Sequence, residues 1–322
     1  MIRPTLPLLL FAAVLAQAPA FGADFPEKPV TLVVPFPPGG ATDTVARIVA
    51  TGMGQRLGKA VIVDNKAGAG TTIGAGAVAQ AAPDGYTLLI SSNTTFTVNP
   101  ALKRKLPYDA QKSFESIGLI GTSPLVLLAT PSLPANTVKE VVALAHAKPG
   151  GLAYGSFGNG TTSHFAGEMF KLMTGSDILH VPYKGSAPAM TDLIGGQVQL
   201  TFDTNVAALP MVQSGKVKAI AITSAKRSPS MPQVPTVAEA GYADYEMVPW
   251  ITIVAPRGLP APVQQALGKA LAGTLADAGT RSELEKAGVD VGWQPGSFYD
   301  ARVARELPLL RAYVHKAKIP ME

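Results

Sequence analysis

Apolar residues along this chain follow two alternating patterns. Short β-branched runs are separated by longer stretches in which apolar positions return once per helical turn. The first such unit fills residues 30–58. Val30, Leu32, Val33 and Val34 suit a strand buried in a parallel sheet. Pro35, Pro37 and Pro38 forbid continuation of the ladder. Gly39 and Gly40 allow unusual φ values and let a ligand approach the backbone closely. Val45, Ile48, Val49, Gly52, Met53 and Leu57 then recur at helical spacing, with Asp43 and Arg47 off that face. Gly40 or Thr42 is placed to cap this helix, and Asp43 in its first turn suits the dipole. A helix that starts at the carboxyl end of a strand offers unpaired N–H groups to whatever lies above it, which is an anion site made of backbone. The same stretch also fits an ordinary connection that binds nothing.

The device recurs. Residues 152–156 read as a strand, the run 157–164 is rich in glycine and hydroxyls, and Phe165, Met169, Phe170, Leu172 and Met173 pack down the helix that follows. Further strands are expected at 60–63, 86–91, 178–181, 198–202, 217–223 and 250–255. The strand at 86–91 runs into Ser92 and Asn93, and that at 198–202 into Asp203, Thr204 and Asn205. The run 117–130 is long, apolar and broken at Ser123-Pro124, as a crossing between two lobes would be. Thr137 and Glu140 form a capping box for the next helix. Residues 226–235 read as a return linker, and two helices, at 262–278 and 297–318, close the chain. Strands alternating with helices predict an α/β fold with a mostly parallel sheet in each lobe. The expected organisation is a secretory signal at 1–23, a first lobe at 24–122, a second at 123–227, and a return to the first at 228–322.

Composition narrows the chemistry. A chain of 322 residues can bury the cores of two lobes. The net charge of +5 is spread over scattered lysines and arginines, with no basic run interleaved with aromatics, which argues against nucleic acid and for mild attraction of anions. There is no cysteine, hence no disulfide, thiolate metal site or cysteine nucleophile. Arg3, the apolar run 6–16 and the small residues up to Ala23 look like a cleaved signal, too short to span a bilayer comfortably, so the mature protein is expected to be soluble outside the cytoplasm. His146, His164, His180 and His315 offer no i, i+4 ligand pair. A serine hydrolase is the enzymatic alternative: Ser163 and His164 are neighbours, and Gly155-Ser156-Phe157-Gly158 partly resembles a nucleophile loop, yet no G-x-S-x-G elbow is present. Gly68, Gly70 and Gly74 are in the wrong order for a dinucleotide fingerprint. Asp203 suits either recognition of an amine or hydroxyl, or a helix cap.

What recurs at strand ends in both lobes is a set of uncharged donors: Gly39, Gly40 and Thr42; Ser92 and Asn93; Ser156, Gly158, Thr161 and Ser163; Tyr183 and Gly185. Such a cleft would grip a carboxylate without burying a cation. At Pro35-Phe36-Pro37-Pro38-Gly39-Gly40-Ala41-Thr42-Asp43, Asn65 with 68–70, Pro83-Asp84-Gly85-Tyr86-Thr87-Leu88, Gly155-Ser156-x-Gly158-x-Gly160-Thr161-x-Ser163-His164 and His180-Val181-Pro182-Tyr183-Lys184-Gly185, the chain resembles the Bug-type solute receptors of tripartite tricarboxylate transporters. The resemblance covers nearly the whole chain after the signal. It implies a two-lobed periplasmic binding protein of the second type, a monomeric receptor without cofactor or enzymatic activity, working with the membrane subunits of such a transporter. It also implies a carboxylate ligand held by the loop 37–42 and the helix start 161–164, with Asp203 meeting an amino or hydroxyl group, Asp43 at the first helix start and Phe157 placed to stack on a ring. Service as a sensor for a signalling partner stays open.

Overall fold

The computed structural model describes residues 25–317 and 319. The signal read at 1–23 lies outside these residues, as does residue 318 at the end of the last expected helix. Eleven strands are present among them: β1 (Val30–Val34), β2 (Val61–Asn65), β3 (Thr87–Ser92), β4 (Phe114–Thr122), β5 (Leu125–Ala129), β6 (Leu152–Ser156), β7 (Ile178–Pro182), β8 (Leu200–Thr204), β9 (Lys218–Ile222), β10 (Trp250–Pro256) and β11 (Asp290–Pro295). The α-helices are α1 (Ala41–Leu57), α2 (Thr72–Ala79), α3 (Asn99–Leu102), α4 (Val138–Ala147), α5 (Thr162–Thr174), α6 (Ser186–Ile194), α7 (Asn205–Gln213), α8 (Ala261–Ala276), α9 (Ala278–Lys286) and α10 (Phe298–Ala317).

The strands form two sheets, one per lobe, in the orders β11-β4-β10-β3-β1-β2 and β7-β6-β8-β5-β9. Both are mixed, where the hydrophobic pattern suggested mostly parallel sheets. β1 runs parallel to β2 and β3, and β6 parallel to β7 and β8, but β10 is antiparallel to β3 and β4, and β5 to β8 and β9. Apolar runs report burial on both faces and say nothing of direction. β5 and β10, the strands by which the chain enters each sheet from the other, run against the βαβ units, and β11 runs alongside in the direction of β10. The expected crossing is there: β4 and β5 sit in different sheets and are separated at Ser123-Pro124.

β1 serves two cores. Val30, Leu32 and Val34 pack with Val45, Val49 and Met53 of α1, while Val33 faces Ala75 and Val78 of α2. Each such side chain contributes roughly 1.5–3 kcal/mol on burial. Gly52 lets α1 meet α8 closely, since a Cβ there would stand 2.5 Å from Thr274 Cγ2. The capping box at Thr137 and Glu140 is formed. Three elements escaped the sequence pattern. α7 is apolar on most sides and holds Pro210, α9 buries Leu284 alone, and β11 is largely exposed, so none shows a clear period.

α10 straddles the lobes. Its Tyr299 and Val303 lie in the first lobe's aromatic core with Phe96, Phe114 and Trp250, while Val314 joins the second lobe's core with Phe165 and Phe170. Pro308 lies between these anchors. The lobes also meet across their cleft. Thr162 N–H donates to Thr94 Oγ1 at 3.0 Å, Thr162 Oγ1 donates to Asn93 Oδ1 at 3.2 Å, and Gly70 packs on the Asn159 carbonyl. Among the described residues no helix is long and apolar enough to cross a membrane.

Candidate functional site

Four helices begin at the wall of one cavity between the lobes. α1 contributes Gly40, Ala41 and Thr42; α5 contributes Thr162; α6 contributes Gly185, Ser186 and Ala187; and α7 contributes Thr204 and Val206. Phe36, Pro37, Ser92, Thr94, Ser123, Phe157, Pro249 and Ile251 complete the lining. The cavity measures about 40 Å³, against the roughly 10–15 Å³ that one water requires, so it suits a group of a few heavy atoms. None of its lining residues carries a charged side chain.

The electrostatics come from the backbone. The first N–H groups of a helix have no intrahelical partner, and the aligned peptides place about half a positive charge at that end. At three of the four starts no side chain caps them: Gly40, Gly185 and Thr204 make no capping hydrogen bond. The fourth, α5, is capped by Thr161, whose Oγ1 accepts from His164 N–H at 3.3 Å. The pattern read at Gly40 therefore recurs at Gly185-Ser186, where Gly185 is among the donors expected from sequence, and at Thr204-Asn205, where only the neighbouring Asp203 is assigned to a ligand from sequence. Pro249 and Ile251, at the start of β10, gave no such signal.

The proline loop is held from behind. Gly39 takes φ +78°, a left-handed conformation that favours glycine. Its N–H donates to Asp43 Oδ2 at 2.9 Å. Arg47 forks onto both Asp43 oxygens at 2.9 and 3.0 Å, and Asn65 Nδ2 donates to Asp43 Oδ1 and to the Phe36 carbonyl, each at 3.0 Å. Burial alone would raise the Asp43 carboxyl, but the bonds from Arg47, Gly39 and Asn65 outweigh it and hold the pKa below the ordinary carboxylate value. Asp43 is thus buried, where helical spacing had put it off the packed face, and it does not line the cavity.

Of the other residues singled out from sequence, Pro37, Gly40, Thr42, Ser92 and Phe157 line the cavity. Gly39, Asn93, Ser156, Gly158, Thr161, Ser163, His164, Tyr183 and Asp203 stand around it without lining it. Ser163 Oγ donates to the Phe202 carbonyl at 2.6 Å, Gly160 N–H donates to His164 Nδ1 at 3.3 Å, and Tyr183 donates to Asp192 at 2.7 Å. Asp203 lies one layer down, fully buried. Ser186 Oγ donates to its two oxygens at 2.8 and 3.0 Å, and Thr204 N–H donates at 2.7 Å. Burial pushes its pKa up to about 7 against the lowering effect of these bonds.

The serine–histidine pair that the fold brings together is not Ser163 with His164. It is Ser156 with His180, whose Oγ and Nε2 stand 2.7 Å apart. Ser156 is fully buried. Burial and the nearby His164 and Lys171 lower His180 to about 3, which leaves it a weak base. His180 instead stacks between His164 and Tyr154, with ring centroids 4.3 and 4.8 Å away. Among the described residues no carboxylate hydrogen-bonds His180 to orient it as a triad requires.

The tripartite tricarboxylate transporter family receptor pattern matches residues 45–309. Protein BugT of Bordetella pertussis is 40% identical over 242 residues, 75% of this chain and 74% of that protein. The structure of the periplasmic binding protein BugD superposes with a TM-score of 0.89 at 38% identity, covering 92% of this chain and all of that one (100%). MatC of Rhodopseudomonas palustris, solved with bound malate, gives 0.86 at 34% identity over 90% of this chain and 100% of its own. An R. palustris protein solved with adipate gives 0.89 at 36% identity, covering 92% and 99%. The chain therefore belongs to the Bug-type receptors of the tripartite tricarboxylate transporter family, and it is a solute-binding protein rather than an enzyme.

Proposed function

We propose that this protein is a periplasmic receptor that closes on a small carboxylate and delivers it to the membrane subunits of a tripartite tricarboxylate transporter. The observation that carries this reading is the meeting of four helix starts on a cavity whose lining holds no charged side chain. A carboxylate placed there would accept from main-chain N–H groups of α1 and α6 and from hydroxyls such as Thr42. Each hydrogen bond to a charged acceptor contributes about 1.5–3 kcal/mol. No cation has to be stripped of water to make them. The malate and adipate held by related receptors fit the same ligand class. Because the donors come from both lobes, a ligand touching them favours the closed arrangement over an open one, and hinge closure follows as a population shift.

A thermal-shift and calorimetric screen of mono-, di- and tricarboxylates tests this. At least one acid should bind with one-to-one stoichiometry, stabilise the fold by about 2.7 kcal/mol at one hundred times Kd, and be recovered chemically unchanged. Absence of any carboxylate ligand, or turnover of the bound acid, would overturn the reading.

A further inference from the structure

The first amide of α5 finds its partner in the other lobe. The helix's own cap, Thr161, accepts from His164 N–H and leaves Thr162 N–H without an intrahelical acceptor. Thr162 N–H donates instead to Thr94 Oγ1 of the first lobe at 3.0 Å. Around this bond the hydroxyl protons have one consistent assignment. Thr162 Oγ1 gives its single proton to Asn93 Oδ1 at 3.2 Å, so Thr94 is the donor at the 2.5 Å contact between the two threonine oxygens. Thr94 Oγ1 thus accepts once and donates once, both times to one residue of the opposite lobe. Asn93, Thr94 and Thr162 are all buried.

The first lobe presents these groups on a fixed support. Thr94–Val98 form a single π-helical turn between β3 and α3, a form that is rare and concentrated at functional sites. Thr95 in this turn is tied at three points. Its Oγ1 stands 2.6 Å from Ser91 Oγ and donates to Thr71 Oγ1 at 2.8 Å, and its carbonyl accepts from the Tyr108 hydroxyl at 2.7 Å. Thr97 Oγ1 donates to the Asn93 carbonyl at 3.2 Å, and Thr94 N–H donates to Ser92 Oγ at 3.3 Å. The groups that face the second lobe are therefore ordered by the first lobe itself, which lowers the cost of meeting it. Two close approaches stand beside them. Gly70 packs on the Asn159 carbonyl, and a Cβ on Gly160 would lie 2.7 Å from Asn99 Oδ1. Residues 159–162 seat on this support as a unit.

We propose that Asn93 and Thr94 form a latch that caps α5 across the cleft and populates the closed arrangement before any solute enters. The latch is made of protein groups alone and stands whichever solute the cleft takes. When the lobes part, water replaces each bond, so the net gain per bond is small, and three bonds together shift the balance toward closure by about tenfold to a hundredfold. Such a bias acts on every ligand alike, because apparent affinity scales with the fraction of molecules already competent to bind. Contacts to the solute then set selectivity, and the latch sets the scale common to all solutes.

Amide exchange and small-angle scattering on the dialysed, ligand-free protein test this. Thr94 and Thr162 also line the cavity, and a role confined to touching ligand would move neither reading. The Thr162 amide of the wild type should exchange at least about tenfold more slowly than the same amide in Thr94→Val, while the amides of β1 and β6 keep their wild-type rates. Thr94→Val should also raise the radius of gyration, and Thr94→Ser, which keeps the hydroxyl, should restore both readings. Asn93→Ala removes only the third bond and should raise the radius of gyration less; it carries the test if Thr94→Val does not fold. A wild-type Thr162 amide that exchanges as fast as in an unstructured peptide, equal protection in the wild type and Thr94→Val, or a radius of gyration unmoved in every variant that folds would each overturn the latch.

Discussion

Two buried aspartates flank the cavity, and burial leaves them in opposite states. Asp43 meets an arginine fork, an asparagine amide and a backbone N–H, so its pKa falls and it stays charged. Asp203 meets no cation, and burial lifts it to about 7. The folded chain then holds the Asp203 proton to higher pH than the unfolded chain, whose carboxyl titrates near 4. Its contribution is fully present below about pH 4 and is lost as pH rises through 7. Replacing Asp203 with Asn removes the titration while keeping an acceptor for Ser186. The melting temperature of Asp203→Asn should therefore vary less between pH 4 and 7 than that of the wild type. An unchanged slope in calorimetric scans would show that Asp203 is not the titrating group.

The working unit at the next scale is a helix start, and its quality differs from one helix to another. α5 is closed by the Thr161 side chain, which also donates to the Gly158 carbonyl at 2.7 Å. Thr161→Ala should lower stability by about 1 kcal/mol, as losses of N-caps do, and Thr161→Ser should restore most of it. Urea midpoints with unchanged m-values measure this, and an equal loss in both variants would assign the effect to the methyl group. How far such units were legible depended on their surroundings. β1 and α1 were readable because a β-branched run, three prolines, two glycines and a clean helical period stand in succession. β6 with α5, and the Thr137 box, were readable for similar reasons. α7 and β11 were not, since one is apolar on most sides and the other largely wet. The cavity was legible only in part. Pro37, Gly40, Thr42, Ser92 and Phe157 carried the signal, whereas Ser123, Pro249 and Ile251 reach the same wall through a topology that no local pattern encodes. The role of Asp43 was hidden because its partner Asn65 lies outside α1, at the end of β2.

At the scale of the whole molecule, function depends on how closely the lobes can approach. Gly70 marks that limit. A Cβ on it would lie 2.6 Å from the Asn159 carbonyl of the other lobe, and its φ of 61° is one that alanine resists. Gly70→Ala should cost about 1–2 kcal/mol of stability from the left-handed backbone alone. It should also weaken ligands at least tenfold, because the clash bears on the closed form. Small-angle scattering should then show less ligand-induced compaction than in the wild type. Full compaction with native affinity would mean that this contact does not limit closure.

α10 sets a further condition on that motion. A rod fixed to both halves of a clamp resists being pulled open unless it bends, and Tyr299 with Val303 fixes one end while Val314 fixes the other. Pro308 sits between them, at a point where the missing N–H has already removed one rung of the helix. Opening is thereby channelled into flexure about a built-in weak spot, and the last helix becomes the spring that decides how wide the jaws can part.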